Sequence, residues 1–254
     1  MKCNEKMRGE TMIDIHCHIL PKLDDGAADM EEALGIARAA VASGVTGIVA
    51  TPHFPGRPES LEMLGAILDR YRSLRICLEK AGIPLRIFPG AEILCLPNTA
   101  KMARKRQLPT LGNSDYLLCE FYFQESRAYM TRQLRELADS GYRIVVAHPE
   151  RYEAVQRDPR IAEKWFDAGY VLQLNKDSLL GNFGSRVEKT ARTLLDRGLA
   201  HVIASDAHST LYRTGDMGQL RSWLEVNCPA EYARILLEEN PRRLLQGREM
   251  APVE

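Results

Sequence analysis

The chain has 254 residues, of which 45% are hydrophobic and 27% are charged, a composition that supports a large buried core in a single domain. Lysine and arginine together number 34, as do aspartate and glutamate. The resulting net charge of zero gives no field that would favour nucleic acid or an anionic membrane surface as the main partner.

The two ends of the chain and its cysteines bear on processing and location. Residues 1–11 are polar and lack the apolar segment of a signal peptide. We therefore expect a disordered leader there, then a domain over residues 12–247 and a frayed tail over residues 248–254. No apolar run is long enough to insert into a bilayer. The six cysteines form no Cys-x-x-Cys pair, which indicates reduced thiols and a cytoplasmic protein.

Short apolar runs alternate with amphipathic helical stretches along the chain. Runs rich in valine, isoleucine, leucine and tyrosine are typical of buried parallel strands. Seven strands are predicted, in chain order: Ile13–Ile19, Thr46–Thr51, Leu85–Ala91, Tyr116–Phe121, Arg143–Ala147, Val171–Leu174 and His201–Ser205.

Helices are predicted between these strands. The first is capped by Asp29, with Glu32 at the capping-box position, and it ends at Gly44. The others are Leu61–Lys80, Asn98–Arg106, Thr131–Ser140, Arg160–Ala168, Arg186–Arg197, Tyr232–Leu237 and Pro241–Leu245. Strands interleaved with helices predict an α/β fold with a parallel sheet and right-handed crossovers, which could be open or closed. The uneven connections favour an irregular single-domain barrel.

Five of the six histidines follow the carboxyl end of a predicted strand, and acidic residues take the same place on other strands. These residues are His16, His18, His53, His148 and His208, with Glu92, Glu120 and Asp206. Strand ends of an α/β barrel meet at one mouth, so the side chains are expected to converge there. Imidazole and carboxylate groups together favour a divalent metal site. His201 begins its strand instead, and we predict a structural role for it.

The turn Asp24-Asp25-Gly26 follows the first strand closely. Adjacent acids with a glycine suit a solvated turn. The alternative is that the turn brings Asp25 over the mouth as a further ligand.

These motifs resemble the polymerase-and-histidinol-phosphatase (PHP) superfamily, and within it the bacterial CpsB/YwqE-type tyrosine-protein phosphatases of capsule and exopolysaccharide operons. The similarity extends from residue 12 to about residue 245. The matching segments are Met12–Pro21, Asp24–Gly26, Ala50–His53, Gly90–Ile93, Ala147–Tyr152, Val202–His208 and Glu239–Pro241.

The resemblance implies a distorted TIM-like (β/α)7 barrel of the PHP type that holds three divalent metal ions, with manganese favoured over iron or zinc. It assigns His16, His18 and Asp206 to the first ion. Glu120 and His148 belong to the second, with Glu92 bridging these two. Asp25, His53 and His208 belong to the third.

The expected reaction is hydrolysis of phosphotyrosine by a metal-activated hydroxide. Arg151 and Arg213 match arginines that lie near the phosphate in such enzymes, and they would neutralise the equatorial oxygens. His53 or His208 would protonate the leaving group. The implied partner is a phosphotyrosine protein, namely the tail of a bacterial tyrosine kinase that controls polysaccharide export. The sequence leaves self-association open.

Other functions remain alternatives. A PHP phosphatase for small molecules such as histidinol phosphate would use the same ligands, as would a metal-stabilised binding domain without turnover. An amidohydrolase-like barrel also opens with His-x-His, but Glu92 and Glu120 favour phosphoester chemistry. A cysteine-dependent phosphatase needs a Cys and an Arg separated by five residues. Cys119 has Glu125 at that position, and we expect no cysteine to serve this role.

Overall fold

The structure is a computed structural model that describes residues 12–252, so the predicted leader over residues 1–11 lies outside the described residues. Nine strands are found in the described part. Their bounds are β1 Met12–Cys17, β2 Val45–Ala50, β3 His53–Pro55, β4 Arg86–Pro89, β5 Glu92–Leu94, β6 Tyr116–Glu120, β7 Arg143–Ala147, β8 Val171–Asn175 and β9 Val202–Ala204.

The strands form two parallel sheets, in the orders β1-β2-β4 and β3-β5-β6-β7-β8-β9. Two of the seven predicted strands are each followed by a further short strand, β3 or β5, that was not predicted. The predicted strand Thr46–Thr51 ends early and pairing resumes at β3 after Pro52, because proline has no N–H for the ladder. The backbone N–H of Glu92 donates to the Pro52 carbonyl at 3.1 Å, so the two sheets meet at the breaks before β3 and β5.

The first and last strands also meet at their carboxyl ends. The backbone N–H of Asp206 donates to the carbonyl of His16 at 2.8 Å, and that of His18 donates to Ala207 at 2.8 Å. Cys17 and Ala207 form a parallel bridge. The α/β fold with parallel strands is confirmed, and these bonds place the ends of β1 and β9 side by side.

Eleven α-helices are found in residues 12–252. Their bounds are α1 Met30–Ala42, α2 Met63–Lys80, α3 Thr99–Arg104, α4 Arg127–Asp139, α5 Glu153–Arg157, α6 Arg160–Asp167, α7 Lys176–Leu179, α8 Ser185–Asp196, α9 Gly218–Asn227, α10 Ala230–Arg234 and α11 Asn240–Leu245. The predicted cap of α1 is confirmed, since the Asp29 side chain accepts from the N–H of Glu32 at 3.0 Å. None of these helices is both long and apolar enough to cross a membrane.

Several helix boundaries differ from the prediction. Helix α4 begins four residues earlier than expected because the Ser126 side chain caps it by accepting from the N–H of Tyr129. The region predicted as Tyr232–Leu237 is divided into α10 and a π-helical turn over Ile235–Glu239. The helix α9 was not predicted.

Successive side chains of a strand point to opposite faces, and this alternation decides which polar residues share a face with the apolar interior. Leu118, Val171 and Val202 belong to the smaller of the two buried apolar clusters. Side chains two residues apart on a strand share a face, so Glu120 lies on the same face as Leu118. Asp206 lies two residues beyond the end of β9, at the same carboxyl edge. The polar residues therefore cover one end of an apolar interior.

The described part of the predicted frayed tail makes contacts with the domain. The Tyr116 hydroxyl donates to the carbonyl of Arg248 at 2.7 Å. The backbone N–H of Ala251 donates to the Asn240 side chain at 2.6 Å, and Ala251 is buried. Residues 248–251 are therefore held against the domain by hydrogen bonds, which the prediction of a frayed tail did not include.

His201 lies at the start of its strand, away from the other five histidines. Its Nδ1 accepts from the backbone N–H of Leu172 at 3.1 Å, and its ring stacks on Phe166 at 4.8 Å between centroids. Burial lowers the pKa of His201 from 6.5 to about 4. Because the unfolded chain binds this proton more readily, the stability that neutral His201 contributes is lost as pH falls from 6.5 towards 4.

Between pH 7 and pH 5, this histidine is expected to lower the free energy of unfolding by about 2 kcal/mol. The His201→Asn variant keeps an acceptor near the Leu172 N–H but does not titrate, so its loss over the same range should be smaller by that amount. Urea unfolding of both proteins at the two pH values measures the difference. Equal losses in the two proteins would contradict the assignment.

Candidate metal centre

All nine predicted ligand residues lie together, although His53 and Glu92 begin β3 and β5 instead of ending a strand. Their nitrogen and oxygen atoms form four overlapping groups, within each of which all candidate ligand atoms lie within 4.8 Å of one another. The groups are His18, Asp25, His53 and His208; His16, His148 and Asp206; His16, His18 and Glu92; and His53, Glu92 and Glu120. His148 is thus grouped with His16 and Asp206, which differs in detail from the division that the resemblance implies.

His16 is held in one orientation by the amide of Gln173. The Gln173 Nε2 donates to Asn175 at 2.8 Å, which leaves its Oε1 to accept from His16 Nδ1 at 2.9 Å. The lone pair of His16 Nε2 then faces Glu92 Oε1 and Asp206 Oδ1, each 3.3 Å away. A fixed proton on one ring nitrogen, with the other nitrogen directed at carboxylates, is typical of a metal-ligating histidine.

His18 and His208 have the same arrangement. His18 Nδ1 donates to Asp24 Oδ2 at 2.8 Å, and its Nε2 lies 3.3 Å from His16 Nε2. His208 Nδ1 donates to the backbone carbonyl of Asp206 at 3.0 Å, which leaves Nε2 facing Asp25 Oδ1 at 3.4 Å. The rings of His18 and His208 are 3.9 Å apart between centroids. Three imidazole lone pairs therefore point into one pocket.

Glu92 lies at the middle of the cluster and is 1% exposed. Its Oε1 is 2.9 Å from His148 Nε2, and its Oε2 is 3.2 Å from His18 Nε2 and 3.1 Å from His53 Nδ1. Burial acts to raise the pKa of Glu92, but the surrounding imidazoles outweigh it and hold the pKa well below the usual range. Glu92 is thus a carboxylate with histidine on several sides, as a bridging ligand requires.

The electrostatics of the cluster call for positive charge in its centre. Burial acts to lower the pKa of His16, yet the carboxylates of Glu92 and Asp206 raise it to about 9. The rings of His208 and His53, which face the Asp25 carboxylate, hold the pKa of Asp25 far below its usual range. The carboxylates therefore attract cations into the pocket, and divalent ions meet that demand without protonating the rings.

The residues present fit divalent metal ions. Asp206 Oδ1 and His208 Nε2 are buried and have no hydrogen-bond partner, although such atoms are costly when unsatisfied. A mixture of imidazole nitrogen and carboxylate oxygen suits manganese, iron and zinc better than calcium or copper(I). Glu120 and Asp25 complete the set of four carboxylates.

The turn after β1 brings Asp25 to the metal pocket, which is the alternative to a solvated turn. Asp25 Oδ1 lies 3.4 Å from both His53 Nε2 and His208 Nε2. A Cβ at Gly26 would lie 2.2 Å from the His18 carbonyl oxygen, so only glycine permits this close return. Asp24, which was not predicted as a site residue, accepts from His18 Nδ1 and from the His53 backbone N–H at 2.9 Å.

Both predicted arginines lie on Asp206. Arg151 Nη1 is 3.4 Å from Asp206 Oδ2, and Arg213 Nη2 makes a close contact with the same oxygen. The Arg151 guanidinium carbon lies 4.3 Å from the ring centre of Phe123 and 4.6 Å from that of Phe183. Two aromatic rings therefore position this guanidinium at the edge of the metal pocket.

Three residues of the site have left-handed backbone. The φ angles are 34° at His148, 51° at Asp206 and 51° at Arg213. Such conformations cost non-glycine residues about 1–3 kcal/mol each, and they persist where the surrounding structure holds them. They turn the chain sharply after β7 and β9, which is what brings these side chains to the pocket.

Sequence reasoning missed five residues that support the site: Asp14, Asp24, Gln173, Asn175 and Phe183. Asp14 is buried and accepts from the Ser205 backbone N–H at 3.1 Å, which ties the strand of His16 to the end of β9. Asn175 donates to Asp206 Oδ2 at 2.6 Å. A signal existed for Asp14, Gln173 and Asn175, because they are polar residues within apolar strands, whereas Asp24 lies in the turn after β1. Phe183 gave none, because it lies in a loop.

One cysteine does have the spacing of a cysteine-dependent phosphatase, contrary to expectation. Cys228 and Arg234 are separated by five residues, so the required spacing does occur in the chain. The structure rules out a phosphate-binding loop there, because Arg234 lies in α10 and pairs with Glu231 at 2.7 Å. Burial also raises the pKa of the Cys228 thiol, which disfavours the thiolate. The class remains excluded, for a structural reason.

Comparisons with known proteins agree with this geometry. The family model for capsular polysaccharide synthesis, CpsB/CapC, matches residues 12–246. The tyrosine-protein phosphatase YwqE of Bacillus subtilis is 35% identical over 237 residues, which cover 93% of this chain and 92% of YwqE. The tyrosine-protein phosphatase CpsB of Streptococcus pneumoniae is 31% identical, over 93% of this chain and 99% of CpsB.

A solved structure is also similar. It comes from work on YwqE of Bacillus subtilis and CpsB of Streptococcus pneumoniae, described as unique metal-dependent tyrosine phosphatases. Its TM-score is 0.85 at 34% identity, and the match covers 96% of this chain and all of that one. A phosphotriesterase homology protein of Escherichia coli, at 13% identity and a TM-score of 0.58, shares the fold alone.

Proposed function

The chain belongs to the CpsB/CapC family of capsular polysaccharide synthesis, and we propose that it is a metal-dependent protein-tyrosine phosphatase. The observation that carries this proposal is the cluster of imidazoles and carboxylates with two arginines on its edge. When bound, the metal ions would supply Lewis-acid charge and lower the pKa of a water nucleophile. The protein's own side chains would bind the phosphate and protonate the leaving group.

The arginines are suited to bind the phosphate. Arg151 and Arg213 both contact Asp206 Oδ2, so a phosphate that arrives beside Asp206 meets two guanidinium groups already placed there. Planar guanidinium groups bind phosphate through two parallel hydrogen bonds and neutralise charge that develops on its oxygens. Phe123 and Phe183 hold Arg151 from both sides and offer aromatic surface to a tyrosine ring. His53 and His208 remain the candidates for protonating the leaving phenolate.

The finer assignments are also proposals. We infer three divalent ions, with manganese favoured and iron or zinc as alternatives, because the four overlapping ligand groups need more than one cation. We infer a phosphorylated bacterial tyrosine kinase tail as the substrate, because the relatives are named tyrosine-protein phosphatases and the family belongs to capsular polysaccharide synthesis. The five cysteines in the described part of the chain are free, which supports a reducing cytoplasm.

The proposed activity is tested with a panel of phosphate esters. The manganese-loaded protein is expected to hydrolyse phosphotyrosyl peptides with a kcat/KM well above that for histidinol phosphate, because aromatic rings flank Arg151. Phosphoseryl peptides of the same sequence serve as the control for the leaving group. A preference for histidinol phosphate would favour the small-molecule alternative, and no turnover of any ester would favour a binding domain.

Arg151→Lys is expected to lower kcat/KM for a phosphotyrosyl peptide by about 100-fold, because lysine keeps the charge but loses the planar pair of donors. Steady-state kinetics at fixed metal concentration measure the change. Arg157→Lys is the matched control: Arg157 is an exposed arginine nearby that pairs with Glu153. Equal rates for Arg151→Lys and the unmodified protein would remove Arg151 from the phosphate site.

A further inference from the structure

A groove adjoins the proposed phosphate site on the side of Arg213. It lies between the segment that follows β8 and the loop that follows β9, and its cavity volume is ≈ 590 Å³. Lys176 and Phe183 line one side, and Leu211, Tyr212 and Arg213 line the other. Because a phosphotyrosine side chain is directed at the metal pocket, this additional space is left for another part of the substrate.

The groove is continuous with the active site. Arg213 belongs to both, through its contact with Asp206 and its place in the groove lining. The ring of Phe183 lies 4.6 Å from the guanidinium carbon of Arg151 and 6.0 Å from that of Arg213. Asn175, which donates to Asp206, directly precedes Lys176 in the chain. The groove therefore opens directly beside the metal pocket.

The groove exposes large apolar side chains. Leu211 is 80% exposed and Tyr212 is 81% exposed. In residues 12–252, six large apolar side chains are exposed, and three of them follow site residues closely: Leu211, Tyr212 and Tyr122, which comes two residues after Glu120. Exposed apolar surface next to a polar pocket is typical of a binding site.

The loop that presents these side chains makes several hydrogen bonds within itself. The Ser209 hydroxyl accepts from the backbone N–H of Tyr212 at 2.9 Å and donates to its carbonyl at 2.7 Å. The backbone N–H of His208 donates to the carbonyl of Arg213 at 2.8 Å. The turn is thus closed by its own hydrogen bonds, so binding a chain against it requires little further ordering.

The lysine in the groove wall is paired with Asp177 within the wall, and the other charged lining residues are Arg213 and Asp216. Lys176 and Asp177 are each 4% exposed, and Lys176 Nζ lies 3.2 Å from Asp177 Oδ1. Asn182 also donates to Asp177 Oδ1, at 2.8 Å. The lysine charge is therefore neutralised within the wall, and Leu211, Tyr212 and Phe183 supply the large apolar surface of the groove.

From this arrangement we propose that the groove binds the polypeptide flanking the phosphotyrosine, and that Leu211 and Tyr212 contact a large apolar side chain within a few residues of it. The proposal rests on the proposed phosphatase function and adds a preference of the same site. The occupant is a peptide, because the groove extends beyond the space that a small phosphate ester fills.

The test combines a double variant with substrates of two sizes. Leu211→Ser with Tyr212→Ser is expected to lower kcat/KM by about 10-fold for a phosphotyrosyl peptide with leucine or phenylalanine neighbours, mostly through KM. The same variant should hydrolyse p-nitrophenyl phosphate within about twofold of the unmodified rate, because that ester does not reach the groove. The unmodified protein should also prefer the apolar peptide to one with serine neighbours.

The control is Val226→Ser, which replaces an 84% exposed residue of α9 outside the groove lining and should change neither rate. If the double variant lost kcat/KM equally on peptide and p-nitrophenyl phosphate, or lost none on either, the groove would not be a peptide-binding site. The proposed phosphatase function would still stand. If the unmodified protein hydrolyses neither ester, the proposed function itself fails. These two failures are therefore distinguishable.

Discussion

Asp206→Asn is expected to lower kcat for phosphotyrosyl peptides by about 1,000-fold or more, because one carboxylate serves several parts of the site at once. Its Oδ1 faces His16 Nε2 at 3.3 Å, and its Oδ2 contacts both arginines. Asparagine removes the charge from the metal pocket and places an amide opposite two guanidinium groups. Activity and bound metal per protein, measured by elemental analysis, should fall together.

The choice of asparagine separates chemistry from folding. Asp206 has a φ of 51°, a conformation that asparagine adopts more readily than alanine does. The thermal unfolding of the metal-free variant should therefore remain close to that of the metal-free parent protein. Asp216→Asn removes an exposed acid that caps the N–H of Gly218, and it should retain full activity on p-nitrophenyl phosphate. Near-normal turnover by Asp206→Asn would make the metal assignment wrong.

Chelation is expected to abolish turnover and to lower the unfolding temperature, and added Mn²⁺ should restore both. Four carboxylates and five imidazoles share the pocket, so removal of the cations leaves their mutual repulsion and their unsatisfied lone pairs. A ligand that binds only the folded state stabilises it by mass action. The midpoint of unfolding should therefore rise with the concentration of Mn²⁺, and activity should follow the same titration.

The unfolding temperature shows whether the chelator acts by removing bound metal or by inhibiting the enzyme directly. A chelator saturated with Ca²⁺ before addition controls for direct inhibition. Asp206→Asn should show a smaller rise in unfolding temperature with Mn²⁺ than the parent protein, because one ligand is missing. Full activity after exhaustive chelation, or an unfolding temperature that ignores Mn²⁺ in both proteins, would contradict a metal centre.

Much of the site is visible in the sequence because strand ends of an α/β fold lie on one edge. Apolar runs followed by His16, His53 or Asp206 were enough to predict convergence without knowing any distance. The helix ends could also be predicted from the sequence, since Gly44 and Gly141 both have the positive φ expected after a helix terminus. These features depend on local periodicity, which a single sequence records.

The tertiary structure alone decided the rest. The resemblance named Asp25 as a ligand, but only the fold shows the separate role of Asp24, which is bonded to His18 while Asp25 faces His208. Nor could it place Phe183 on Arg151, since the two residues are distant in sequence and joined only by packing. Hydrogen-bond orientation and ring stacking depend on separations in space. A linear pattern therefore identifies which residues converge, and the folded chain determines what each one does there.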